Sequence, residues 1–341
     1  MTNRVSGFAN ESAESAESAE SAESAESASS GTSGIPTYSG ARASGMLANA
    51  LYTTHAEITR GMDWPQHPVE TDKSLTSDEG MARWSADVRG SQYDFEFVSH
   101  LSFSGTFAGG TGKPQAALLQ YTRSAGGNVT ITLGAPNYES TGGVLVLKQA
   151  IKDVLDAASL RPDRQNEILT QVTTPTAFFA MLLGLQPGRH RYTFELFGFL
   201  FRVTAFVAMQ FKHHFRARRP TDRSVLVQPI ILTPSHGAYP AGHAIQSFFA
   251  AAVLANLVGD ATADKPGGGG TNDLAAQLQA LAARIGHNRV VAGVHYLKDI
   301  EAGKQLGGDL ATYLLDRATD NTSALYWLFT RARAEWGKTW P

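Results

Sequence analysis

From residue 148 to the end, the sequence is a succession of helix-length stretches: 148–160, 163–185, 191–214, 243–258, 272–289, 297–317 and 321–336. Seven such stretches joined by Gly- and Pro-rich loops can bury their apolar faces only against one another, so a mainly α, bundle-like fold is predicted. The second is expected to break at Thr174-Pro175, because proline removes a backbone donor. One weaker signal precedes them. Residues 128–133 are β-branched at most positions, and residues 142–147 follow a turn-rich segment, which predicts a small β-hairpin near 128–147.

Composition excludes several alternatives. The chain has 341 residues, 43% hydrophobic, and no cysteine. Disulfides, thiolate metal ligands and a cysteine nucleophile are therefore absent. Lys and Arg number 29 against 31 Asp and Glu, for a net charge of −2. Removing residues 1–34, which hold one base (Arg4) and six acids, turns that into +3. So small a charge is no nucleic-acid footprint, and any anion must be bound locally.

Residues 11–28 are a strict Glu-Ser-Ala repeat. Its period of three matches neither a helix nor a strand face, so residues 1–35 read as a disordered tail and 36–341 as one helical domain. No apolar stretch of signal-peptide length opens the chain, so a cytoplasmic location is the expectation. Residues 192–211 are long and apolar enough to cross a bilayer, but Glu195 and Arg202 interrupt them. A buried core helix is expected instead, with no transmembrane segment. The run Gly109-Gly-Thr-Gly-Lys113 lacks the first glycine and the closing hydroxyl of a phosphate loop.

Six of the ten histidines fall between Lys212 and Asp299, together with a cluster of arginines. Three elements stand out there. Lys212 and Arg219-Pro220 close a long apolar helix; cations at that end complement the helix dipole, and the proline aims the arginine. Gly242-His243 opens the next apolar helix, where free N–H groups stabilise an oxyanion, although a simple capping turn would look the same. His295 and Asp299 are four apart, which sets a carboxylate behind the imidazole and makes its other nitrogen more basic; a purely structural pair has the same spacing. Together with Arg289 they supply three cations, a backbone donor and two histidines around one tetrahedral oxyanion. Burying that many positive groups without an anion would be costly.

Lys212-(six residues)-Arg219-Pro220, Pro240-Ala-Gly-His243 and Arg289-(five residues)-His295-(three residues)-Asp299 resemble the three-part signature of one superfamily. It joins type 2 phosphatidic acid phosphatases, bacterial acid phosphatases and vanadium-dependent haloperoxidases. The resemblance implies a helical bundle of the haloperoxidase and acid phosphatase type. It implies that Lys212, Arg219, Arg289 and the Gly242 N–H hold phosphate or vanadate. It further implies that His243 is the acid/base, that His295 is the covalent partner of phosphorus or vanadium, and that Asp299 orients His295. Ala241 and Asn288 stand where the signature has serines, and the first deletes a hydroxyl donor to the oxyanion.

Two chemistries use the same residues. In one, vanadate is the cofactor, and hydrogen peroxide and bromide or iodide are the substrates. In the other, a phosphate monoester is cleaved through a phosphohistidine and no cofactor is needed. The apparent lack of membrane helices, the extension ahead of the motifs and His236, placed as in bromide-oxidising members, favour the peroxidase reading. The acid phosphatase is the alternative, and a non-catalytic oxyanion-binding protein is the third. A homo-oligomer is compatible with all three.

Overall fold

The computed structural model describes residues 45–58, 60, 77–109, 112–136, 144–173, 175–259 and 274–340. The Glu-Ser-Ala tract, residues 137–143 and the glycine run 267–270 lie outside them. Contacts divide the chain after Ser91 into two units. The first unit contains helices α1 (Gly45–Ile58) and α2 (Ser77–Arg83), and α3 (Ala86–Ser99) runs across the division.

The second unit begins with an antiparallel sheet in the order β1 (Ser102–Phe107), β2 (Pro114–Thr122), β3 (Asn128–Gly134). Leu119 stands opposite both Phe103 and Ile131. Ala117, Leu119, Tyr121, Ile131 and Leu133 are buried while their neighbours face outward, as the two-residue period of a strand requires. β3 lies where a strand was expected, but its partner is upstream. Residues 144–147, expected as the second strand, instead begin α4 (Val144–Ala157). Leu147, Ala150, Ile151, Val154 and Leu155 recur at helical spacing into one core cluster, and this longer pattern overrides four β-prone residues. β2, with its Ala, Leu and Gln, has no local strand preference and is held by cross-strand pairing.

Seven helices follow the turn Ala158–Leu160: α5 (Arg161–Thr173), α6 (Thr176–Leu183), α7 (Arg191–Phe215), α8 (Gly242–Val258), α9 (Leu274–Val291), α10 (Leu297–Arg317) and α11 (Ala324–Ala334). α8 is apolar on every side and accordingly lies at the centre, packed on α7, α9 and α10. The approach of α10 is close because Gly303 and Gly307 face α8. A Cβ at Gly303 would sit 2.6 Å from the Ala244 Cβ and 2.9 Å from the Ala241 carbonyl oxygen, and one at Gly307 would sit 2.7 Å from the Ile245 carbonyl oxygen. That contact brings the first turns of α8 and α10 side by side.

α7 and the turn after it (Arg191–Asp222) form the one stretch among the described residues long and apolar enough to cross a membrane, with half of its most apolar window buried. Phe206 and Met209 on α7 remain exposed. Glu195 and Arg202 each find partners, Tyr93 Oη at 3.1 Å and Asp94 at 2.8 Å.

Candidate active site

His295 lies two residues before α10, next to its N-cap Tyr296, and the first turn of the helix places Asp299 behind it. Nδ1 of His295 lies 3.1 Å from Asp299 Oδ2, and the Tyr296 N–H donates to the same oxygen at 2.9 Å. A carboxylate only accepts, so Nδ1 carries the proton and Nε2 presents its lone pair. Asp299 is fully buried and His295 nearly so. Burial lowers the His295 pKa to about 3, against the opposing pull of Asp299.

Arg219 reaches this lone pair, with Nη1 3.4 Å from His295 Nε2. The same Nη1 donates to the Val294 carbonyl at 2.7 Å, and Nε donates to that of His236 at 3.1 Å. Extended backbone at Arg219, followed by the proline-initiated turn Pro220–Asp222, directs the side chain inward. Lys212, in the last turn of α7, donates to the Gly237 and Ala238 carbonyls at 2.8 and 3.1 Å. Burial, aided by Arg219, lowers its pKa to about 7. His236 is exposed, with Nδ1 3.2 Å from Arg219 Nη2.

His243 occupies the first turn of α8, where Ala241 is the N-cap and makes no side-chain capping bond. Its Nε2 lies 3.1 Å from the Gln171 carbonyl, which only accepts, so Nε2 carries the proton of the neutral ring. Burial first, then Arg289, lowers its pKa to about 4. A Cβ at Gly242 would meet nothing within 4 Å, so open space lies beside the first residue of this helix. The Ala241 N–H donates to the Asp299 carbonyl at 3.0 Å and ties the two helix starts together.

Arg289 completes the ring. Its Nη2 donates to the Ile168 carbonyl and to Gln171 Oε1, but Nε and Nη1 are buried without a hydrogen-bond partner. Two buried donors left open on a guanidinium are costly, and an oxyanion would satisfy both. Lys212, Arg219, His236, His243, Arg289, His295 and Asp299, all expected from sequence, are thus joined through hydrogen bonds or mutual electrostatic influence, and Gly242 is the first residue of the helix that carries His243.

Sequence reasoning missed the α5 face behind Arg289. Gln171 is fully buried and accepts from both Arg289 and Asn288, while Glu167 accepts from Asn288 (2.8 Å), Gln171 (3.0 Å) and Arg284 (2.8 Å). Asn288, which departs from the signature, therefore belongs to the network that positions Arg289. The only local clue was the four-residue spacing of Glu167 and Gln171, which is common in exposed helices too.

A cavity of about 600 Å³ opens on the Lys212 and Arg219 side. His236, Ser235, Thr233 and Met209 also line it.

The model of the PAP2 superfamily matches residues 139–322, more than half of the chain. The chain belongs to the PAP2 superfamily. The match in this PAP2 chain covers every motif described above. Among solved structures it is similar to a transmembrane PAP2-type phosphatidylglycerolphosphate phosphatase from Bacillus subtilis, at 18% identity and a TM-score of 0.39, over 52% of this chain and 88% of that one. No curated protein matches it.

Proposed function

We propose that this PAP2 chain is a phosphomonoesterase that works through a phosphohistidine. The lone pair that Asp299 leaves on His295 Nε2, beside the two open nitrogens of Arg289, carries this reading, and the cavity on the Lys212 and Arg219 side leaves room for the alcohol half of an ester. The features that favoured halide oxidation do not separate the two chemistries. α7 is apolar and long enough for a membrane span but half of that window is buried, and His236, a neighbour of Arg219, would serve either chemistry.

In the proposed reaction the His295 Nε2 lone pair forms a bond to phosphorus as the ester P–O bond breaks. Arg219 exchanges its contact with that lone pair for a phosphoryl oxygen. Lys212, Arg289 and the Gly242 N–H hold the remaining charge. A protonated His243 gives the Nδ1 proton to the leaving alkoxide; the bound phosphoryl dianion offsets both the burial and the Arg289 charge that otherwise keep the ring neutral. Neutral Nδ1 then takes a proton from water as the water oxygen attacks phosphorus. The P–N bond breaks, its electron pair returns to Nε2, and inorganic phosphate leaves.

Vanadate fits the same donors, notably the two open nitrogens of Arg289, and His295 would be its protein ligand. When bound, it would supply peroxide activation for halide oxidation. One purified batch assayed for phenyl phosphate cleavage and, with vanadate, for peroxide-dependent bromination separates the chemistries. Expected is ester cleavage that vanadate inhibits competitively, with an acid-labile phosphoenzyme on rapid quench. Bromination without ester cleavage from acidic to neutral pH would overturn the proposal, and silence in both assays would favour the non-catalytic anion-binding reading.

A further inference from the structure

The cavity is much larger than a phosphoryl group, and one part of its wall is cationic. Arg216 and Arg218 border it together with Lys212 and Arg219. Both are exposed, and neither has an ion-pair partner among the described residues. The one carboxylate on the wall, Asp222, already accepts from the Arg219 backbone N–H at 2.8 Å. Four guanidinium and ammonium groups thus face one cavity against a single carboxylate, a charge pattern that raises the local concentration of anions. His213 and His236 add two imidazoles to the same wall.

The backbone at Arg216 points the same way. Arg216 ends α7 in the left-handed region at φ 48°, and its N–H donates to the Lys212 carbonyl at 2.9 Å. Glycine or asparagine normally takes that position, because a side chain is strained there. A cation at a helix C-terminus complements the dipole, but the exposed His213 position in the last turn would serve that purpose without strain. Arginine here holds a guanidinium at the rim of the cavity.

We propose that Arg216 and Arg218 form a second anion subsite, so that the preferred substrate is a phosphate monoester whose alcohol carries a further anionic group, such as a phosphate, phosphodiester or carboxylate. The inference rests on the phosphomonoesterase reading for the word substrate. The cleaved phosphoryl group occupies Lys212, Arg219 and Arg289, and the second anion lies across the cavity on Arg216 and Arg218.

The first test reads binding alone, so it stands apart from whether esters are cleaved. The full chain is titrated calorimetrically with butylphosphonate and with butane-1,4-bisphosphonate, neither of which has an ester bond to break. The bisphosphonate is expected to bind about tenfold more tightly, the order of magnitude for two exposed charge pairs. In the Arg216→Gly/Arg218→Gln double variant that ratio should fall to near one; glycine suits φ 48°, so folding is preserved. Equal affinity in the parent chain, or a preference that survives the double variant, would overturn the subsite.

A second arm distinguishes the source of the anion. Turnover of a water-soluble bis-anionic ester is compared with that of the same head group on a diacyl chain in zwitterionic vesicles. Selective loss in the double variant with the soluble ester assigns a soluble metabolite, and selective loss with the vesicle substrate assigns a lipid. Loss with neither, in a chain that cleaves phenyl phosphate, counts against the proposal.

Discussion

Asp299 Oδ2 accepts both from His295 Nδ1, at 3.1 Å, and from the Tyr296 backbone N–H, at 2.9 Å, so one buried oxygen fixes the ring that faces Arg219. Asparagine at 299 keeps the shape but removes the charge, and its amide can turn an N–H toward the imidazole. The wrong tautomer then results. Asp299→Asn is expected to reduce turnover by about a thousandfold or more while phosphate still binds, an outcome checked by single-turnover kinetics beside a phosphate titration.

The acid side of the stability profile follows from the histidines. Burial depresses His243 to about 4 and His295 to about 3, from 6.5. Between those values and 6.5 the unfolded chain binds more protons than the folded one. The histidines' contribution to stability is therefore full above about pH 6.5 and falls as the pH drops toward 4. Melting temperature measured across that window should decline, and saturating phosphate should reduce the decline by favouring the protonated His243.

Above neutrality the relevant group is Lys212, lowered to about 7 by burial and Arg219. Its ammonium loses the proton as pH rises through that value, and a neutral amine attracts no phosphate. Inhibition by phosphate or vanadate should weaken from pH 7 upward. Lys212→Met should flatten that dependence.

Gln171 positions Arg289 through its side chain and His243 through its carbonyl, and the two roles can be separated. Gln171→Leu removes only the first, leaving the Arg289 and Asn288 amino groups without their shared acceptor. A stability loss of about 1–3 kcal/mol is expected, with weaker phosphate binding. The pH dependence attributed to His243 should stay in place, because the backbone carbonyl remains. A shifted profile would show that Gln171 does more than hold the arginine.

Ala241 has extended backbone at the N-cap of α8 and offers no capping oxygen. Serine at this position supplies an acceptor for the first turn and a hydroxyl donor toward the anion. Ala241→Ser should raise stability by about 1 kcal/mol in urea unfolding. Turnover should rise as well, and an unchanged rate would mean that the hydroxyl is not needed in this chain.

The helices were legible because each is long and periodic; α10 begins and ends where the sequence placed it, and α7 within a residue. The motif residues were legible because their chemistry is unusual at those spacings. β2 was not, since Ala117 and Leu118 prefer helix and only pairing with β1 and β3 makes them a strand. Gln171 and Glu167 were hidden for a related reason. They act at a distance of more than a hundred residues, and nothing near them in the chain indicates what they face.

The bond from the Ala241 N–H to the Asp299 carbonyl couples segments nearly sixty residues apart. With Gly303 admitting no added methyl beneath it, the ground under His243 and His295 is a single plate. In the proposed reaction, proton donor and nucleophile therefore keep one spacing, and a bulky ester enters from the cavity side, where Arg216 to Arg219 follow α7.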